Sequence, residues 1–117
     1  MLPSLPAILT GAVLYILYGT IYYSILLKNK ENKPVHYVLS IVIAFISSFL
    51  VGVIIQTANV QEIGQGAWIG LLIGVIISAV YLKNSVFGLI SKKSLKIAIG
   101  DHLVIFTVLG AVHGFFG

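Results

Sequence analysis

Cysteine and arginine are absent from this chain, and only three of its 117 residues are carboxylates. Without cysteine the protein has no disulfide, no thiol nucleophile and no thiolate metal ligand. Charged residues make up 9% of the chain and hydrophobic residues 59%, so it lacks the polar groups that would cover a water-soluble domain. The composition therefore excludes a soluble globular protein and indicates that lipid surrounds most of the chain.

Motifs for catalysis and for nucleic-acid binding are missing as well. Spacing supports no Ser/His/Asp constellation, and no glycine-rich phosphate loop lies between a strand and a helix. The net charge of +4 reflects seven lysines with no interleaved aromatic residues, so we expect no nucleic-acid partner. A membrane-embedded lipid-modifying enzyme stays open, although no set of residues favours it. We predict no catalytic residue and no cofactor.

Four long apolar runs are present instead, at about 5–27, 35–57, 66–82 and 95–116. Each lies within or near the roughly 17 to 25 residues that a helix needs to cross a hydrocarbon core of about 30 Å. Because the connections are short, neighbouring helices are expected to be antiparallel. We therefore predict an all-α integral membrane protein, a single antiparallel bundle of four transmembrane helices. The first run is too long for a signal-peptide core and is expected to be a retained helix.

The lysines predict the orientation in the membrane. They occupy only the first and third connections, at positions 28, 30, 33, 83, 92, 93 and 96, whereas the middle connection carries only Glu62. By the positive-inside rule, the lysine-rich connections are cytoplasmic, and Glu62 and both termini are extracytoplasmic. The expected location is the cell membrane. The aromatic residues agree with this register, since they fall near the two predicted interfaces: Tyr22, Tyr23, Tyr37, Tyr81, Trp68, Phe115 and Phe116.

Small residues recur at four-residue spacing along three of the predicted helices. They are Ala44, Ser48 and Gly52 in the second, Gly66, Gly70, Gly74 and Ser78 in the third, and Gly110 and Gly114 in the fourth. Such stripes allow helices to approach closely in lipid. They indicate packing within one chain or packing between protomers of a homo-oligomer, and both uses remain open. The expected partners are membrane lipid and further copies of the chain.

Asp101 is the residue whose transfer into lipid would cost the most free energy, because its carboxylate lies about six residues into the fourth predicted helix. Its carboxylate must face protein or water. It either pairs with Lys96 or a neighbouring hydroxyl, or it relays a proton or a cation. His102 follows it, and His113 lies on the same helix face but about 16 Å further along the axis. One metal ion cannot bridge that distance, so we predict no metal site.

Three tyrosines of the first helix form a single stripe at i, i+3 and i+7 spacing. These are Tyr15, Tyr18 and Tyr22. Buried phenols need hydrogen-bond partners, so the stripe is a candidate partner for Asp101 or His102 across the bundle. The resulting cluster would be either a proton-conducting chain or an inert polar clasp.

Short motifs at both ends of the chain resemble those of a known family. They are Gly11 to Ser24 with its Tyr18–Ser24 segment, Val86–Phe87, Ser94–Lys96, Gly100–Val104, Gly110 and Gly114. In this order they resemble an uncharacterised group of small four-helix bacterial membrane proteins, which is known as a domain of unknown function. The resemblance implies the four-helix architecture and implies no activity.

Of two hypotheses of function, the residues favour the first and leave the second as the main alternative. In the first, a small multi-pass protein moves a proton, ion or small solute along a polar path lined by Asp101, His102 and the helix-one tyrosines. In the second, a non-transporting scaffold or accessory subunit uses the same residues to fix helix packing. A polar stripe continuous between the interfaces would favour transport, and an isolated buried cluster would favour scaffolding. The sequence does not indicate the substrate.

Overall fold

The computed structural model describes residues 2–26 and 34–117. In these residues the protein is entirely helical, with four α-helices: α1 (Leu5–Leu26), α2 (Pro34–Thr57), α3 (Ile63–Val86) and α4 (Lys92–Phe115). Each is long and apolar enough to cross a membrane. The predicted all-helical, four-helix architecture is thus confirmed. The first lysine-rich connection, with Lys28, Lys30 and Lys33, lies outside the described residues.

Helices α3 and α4 begin and end at different residues from the apolar runs. Helix α3 covers Ile63–Val86 instead of 66–82, and α4 begins at Lys92 instead of residue 95. Hydropathy shows where side chains cease to be apolar, whereas a helix ends where its backbone hydrogen bonds end. Ser91 caps α4 by accepting a hydrogen bond from the backbone N–H of Ser94. The turn before it contains Gly88 at φ 80°, a conformation that glycine adopts without strain.

The closest helix packing in the described residues is between α3 and α4, which are antiparallel. Gly66, Gly70, Gly74 and Ser78 are all buried on the α3 side. A Cβ atom added at Gly70 would overlap the carbonyl oxygen of Phe106, and one added at Gly66 would overlap that of Gly110. Only hydrogen fits at these positions, so the backbones meet directly. The structure therefore places this stripe, with Gly110 and Gly114, at an interface within one chain.

Helix α4 is the centre of the bundle, because it contacts each of the other three helices. Helix α1 packs antiparallel to both α2 and α4, whereas α2 and α3 barely touch. The buried core lies between these helices and consists of Val51, Ile55, Val60, Ile105, Phe106 and Leu109. Ala44, Ser48 and Gly52 are the small residues that α2 buries, facing α1 and α4.

The two halves of α2 differ in packing. Every side chain described from Val35 to Ile43 is exposed, and Ala44 is the first buried residue of the helix. The first half of α2 therefore buries none of its described side chains, and burial in this helix begins at Ala44.

Large apolar side chains are exposed on all four helices, among them Leu17, Ile46, Ile76 and Val104. A water-soluble monomer rarely exposes such extensive apolar surface. The helices and their surface fit a small multi-pass membrane protein.

Candidate functional site

Asp101 and Tyr23 join the first half of α4 to the end of α1. The Tyr23 hydroxyl donates a hydrogen bond of 2.8 Å to Asp101 Oδ2. Asp101 is 7% exposed, so its carboxylate lies almost entirely inside the protein. No lysine among the described residues lies within ion-pair distance of it, Lys96 included. The hydrogen bond that Asp101 accepts thus comes from a phenol of another helix.

His102 lies beside this carboxylate without hydrogen-bonding to it. Its Nδ1 is 2.6 Å from the carbonyl oxygen of Ala98 and 3.9 Å from Asp101 Oδ2. A carbonyl oxygen only accepts, so Nδ1 carries the proton and donates it along α4. The ring stacks on Phe106 at a centroid distance of 6.0 Å and meets Tyr81 at 5.1 Å with the planes tilted by 32°. Its orientation is therefore set by α4 itself and by two aromatic neighbours.

The three predicted tyrosines of α1 lie around Asp101 but do not bind it directly. The Tyr22 hydroxyl donates to the carbonyl oxygen of Ile97 at 2.9 Å, and its ring stacks on Tyr18 at 5.4 Å. Tyr15 and Tyr18 pack against the apolar core. In the described contacts, Tyr22 is the member of the stripe that hydrogen-bonds to α4, and none of the three bonds to Asp101.

Tyr23 is the partner of Asp101 that the helical stripe misses. It follows Tyr22 in the chain, so it points about 100° away from the stripe. Its ring meets that of Tyr22 edge-on at 5.4 Å. Periodicity selects residues on one face of α1, whereas the side chain that bonds to Asp101 lies on the adjacent face. The signal in the sequence was the consecutive pair Tyr22 and Tyr23, because two adjacent tyrosines place phenols on two faces of the helix at the same height.

A second polar cluster lies near the other end of α4. His113 and Ser48 are both fully buried, with His113 Nε2 at 3.1 Å from Ser48 Oγ. Ser48 Oγ is also 3.0 Å from the carbonyl oxygen of Ile8, which only accepts. The single hydroxyl proton therefore goes to Ile8, and His113 Nε2–H donates to Ser48. His113 Nδ1 is buried against Gly52 and has no hydrogen-bond partner among the described residues.

An apolar layer separates the two clusters. Asp101 and His113 are twelve residues apart on one helix, which corresponds to about 18 Å. Ile105 and Leu109 fill the interval on the same face of α4 and are 1% and 0% exposed. Val51 and Ile55 pack there from α2. The polar side chains therefore form two isolated groups rather than one continuous stripe.

The described residues contain no group of three histidine, aspartate or glutamate side chains that could hold a metal ion. A shallow apolar hollow is lined by Thr10, Ile63 and Ala111, together with Val112, Phe115 and Phe116. It lies near the end of α4 that is far from Asp101. The hollow does not enlarge the candidate site.

Four apolar helices around buried polar clusters fit a small multi-pass membrane protein with a helix-bundle fold. A family model described as "Protein of unknown function (DUF1761)" matches residues 6–114. The chain therefore belongs to this family, and the resemblance to an uncharacterised membrane-protein family is confirmed. Neither the curated proteins nor the solved structures contain a match to the chain.

Proposed function

We propose that this protein is a non-transporting membrane scaffold or accessory subunit, whose two polar clusters fix the packing of α1 and α2 on α4. The observation that supports this most is the apolar layer of Ile105 and Leu109 between the clusters. A proton or ion crossing a single chain would need polar groups or water across that layer. Each cluster instead has the form of a local clasp that ties helices together.

The proposed setting is the cell membrane, with both termini outside the cytoplasm. Lys83, Lys92 and Lys93 lie at the end of the bundle where α3 ends and α4 begins, and Glu62 lies at the opposite end. This distribution supports a cytoplasmic location for the lysine-bearing end.

Self-association is part of the same proposal. The stripe of α3 is occupied by α4 within one chain, so a homo-oligomer would use other surfaces. The exposed first half of α2, from Val35 to Ile43, is the surface that we propose for a second copy. Chemical cross-linking between single cysteines placed at Val38→Cys or Ile41→Cys tests it, with Ile76→Cys on exposed α3 as the control. Cross-linking no stronger on α2 than at Ile76 would argue against this surface.

Transport of a proton, ion or small solute is the second candidate function. It is favoured by the carboxylate of Asp101, which lacks a lysine partner among the described residues. A pathway would then need a rearrangement of the apolar layer or a route between protomers.

Flux measurements in reconstituted vesicles separate these two functions. Under scaffolding, wild-type vesicles should pass neither protons nor alkali cations above the empty-liposome background, under a pH gradient and under a voltage. Flux that is abolished by Asp101→Asn and retained by Glu62→Gln would favour transport over scaffolding. Glu62 is an exposed carboxylate at the other end of the bundle, so this variant controls for loss of a negative charge.

A further inference from the structure

The two oxygens of the Asp101 carboxylate differ in their hydrogen bonds. Oδ2 accepts a hydrogen bond from the Tyr23 hydroxyl, whereas Oδ1 receives no hydrogen bond from a described residue. The nearest nitrogen of His102 is 3.9 Å away and already donates to Ala98. The described residues thus hold the carboxylate in place with one hydrogen bond and offer it no close cationic partner, an arrangement that is costly in a low-dielectric setting.

Aromatic rings flank this carboxylate on two sides. Tyr18 and Tyr22 stack on each other along α1, and Tyr22 meets Tyr23 edge-on. From α4, His102 stacks on Phe106 and meets Tyr81 at a tilt. One member of each aromatic group, Tyr23 and His102, reaches Asp101 itself. The faces of such rings carry negative potential and attract a cation, most strongly when it is desolvated.

Among the described residues, the carboxylate and its neighbours are partly exposed. The side chains of Asp101 and His102 are 10% and 14% exposed. Tyr18, Tyr22 and Tyr81 are also partly exposed, and every described residue of α2 from Val35 to Ile43 is turned away from the bundle. The opposite direction is closed by Ile105 and Leu109. A ligand would therefore enter from one side and stop at Asp101.

We propose that Asp101 and its flanking rings form a binding site for a small lipophilic ammonium ion. The carboxylate supplies the counter-charge, the tyrosine faces supply cation–π attraction, and the apolar wall accommodates alkyl or aryl substituents. A bare alkali cation is a poorer match, because metal cations require several oxygen ligands and the nearby carbonyl oxygens of Ile97 and Ala98 already accept hydrogen bonds from Tyr22 and His102. An anion is excluded by the carboxylate. The inference goes beyond the proposed function, since such an ion can be bound whether or not it is moved.

Equilibrium binding to the purified full-length protein in detergent tests this site. The probe is benzyltrimethylammonium, and its control is neopentylbenzene, which has the same shape without the charge. We expect saturable binding of the cation that is at least about tenfold tighter than that of the neutral molecule. This comparison uses the wild-type protein alone, so it does not depend on the folding of a variant. Equal binding of the two probes, or no saturable binding of the cation, would overturn the proposal.

Variants then locate the site. Asp101→Asn should weaken binding of the cation by about tenfold or more, because it removes the charge at constant shape. Tyr18→Leu should weaken it by roughly threefold or more through loss of a ring face. Glu62→Gln and Phe115→Leu are the matched controls, because they remove a carboxylate and a ring at the far end of the bundle. Unchanged affinity in a folded Asp101→Asn variant would exclude Asp101 as the site. Binding in detergent and flux in vesicles are separate measurements, so this inference and the proposed function can fail independently.

Discussion

Ser48 Oγ lies 3.1 Å from His113 Nε2, at a point where α1, α2 and α4 meet and both side chains are fully buried. The serine hydroxyl donates to the carbonyl oxygen of Ile8, so one small side chain links three helices. Removing the serine oxygen would leave the imidazole N–H without an acceptor in a dry environment. The cost of such an unpaired group exceeds the modest net gain from the hydrogen bond itself.

Ser48→Ala should therefore lower the free energy of unfolding by about 1–3 kcal/mol. Titration with a denaturing detergent, followed by circular dichroism, measures this change. The control is Ser78→Ala, because Ser78 Oγ donates to the carbonyl oxygen of Gly74 on its own helix. That carbonyl group is already hydrogen-bonded within the helix, so we expect Ser78→Ala to lower the free energy of unfolding by less than Ser48→Ala does. Equal effects of the two substitutions would contradict a three-helix clasp at Ser48.

Tyr23→Phe should destabilise the junction of α1 and α4. The substitution removes the one hydrogen bond to Asp101 among the described residues and leaves the ring in place. We expect the free energy of unfolding to fall by about 1.5–3 kcal/mol, the range for hydrogen bonds to charged groups. Thermal denaturation in detergent checks it. Tyr37→Phe serves as the matched control, since Tyr37 is 57% exposed. If Tyr23→Phe and Tyr37→Phe unfold at the same temperature, the clasp contributes nothing to stability.

Alanine at Gly70 should destabilise the protein more than alanine at Gly74. An added Cβ at Gly70 would overlap the Phe106 carbonyl oxygen, whereas at Gly74 it would lie 2.7 Å from that of His102. Overpacking of this kind costs about 1–3 kcal/mol or more. Gly19→Ala is the matched control: no atom lies within 4 Å of its added Cβ, so the change should stabilise α1 by about 0.5–1 kcal/mol.

The unfolding free energies of these three glycine variants therefore have a predicted order, with Gly19→Ala highest and Gly70→Ala lowest. Ile76→Ala adds a test of the lipid-facing side, because Ile76 is 65% exposed and should tolerate truncation better than Gly70 tolerates a methyl group. Any order in which Gly70→Ala is the mildest change would show that α3 does not pack on α4 through this stripe.

The orientation of the chain can be measured because it contains no native cysteine. We expect an impermeant thiol reagent to label Glu62→Cys in intact cells, and to label Lys30→Cys and Lys92→Cys only after the cells are opened. Lys30 and Lys92 lie in different connections, so agreement between them tests the positive-inside assignment twice. Labelling of either lysine position in intact cells, without labelling at Glu62→Cys, would invert the topology.

The number and type of helices follow from composition alone. Four apolar runs of membrane-spanning length predict four helices, because backbone hydrogen bonds in lipid must be made within each segment. The glycines of α3 could be identified from the sequence as a helix-packing surface. A residue without a side chain at every fourth position permits close packing, whichever helix is the partner. Sequence periodicity could not show that this partner would be α4 of the same chain.

The polar contacts depended on the tertiary structure. Asp101 could be singled out from the sequence because a carboxylate within an apolar run is costly wherever it points. Its partner, Tyr23, could not be chosen over the stripe of Tyr15, Tyr18 and Tyr22. Helical periodicity ranks residues by face within one helix, whereas a contact across helices depends on their relative rotation, crossing angle and axial shift. For the same reason, periodicity could not predict the pairing of Ser48 with His113. These two residues are 65 positions apart and meet only when α2 and α4 are packed.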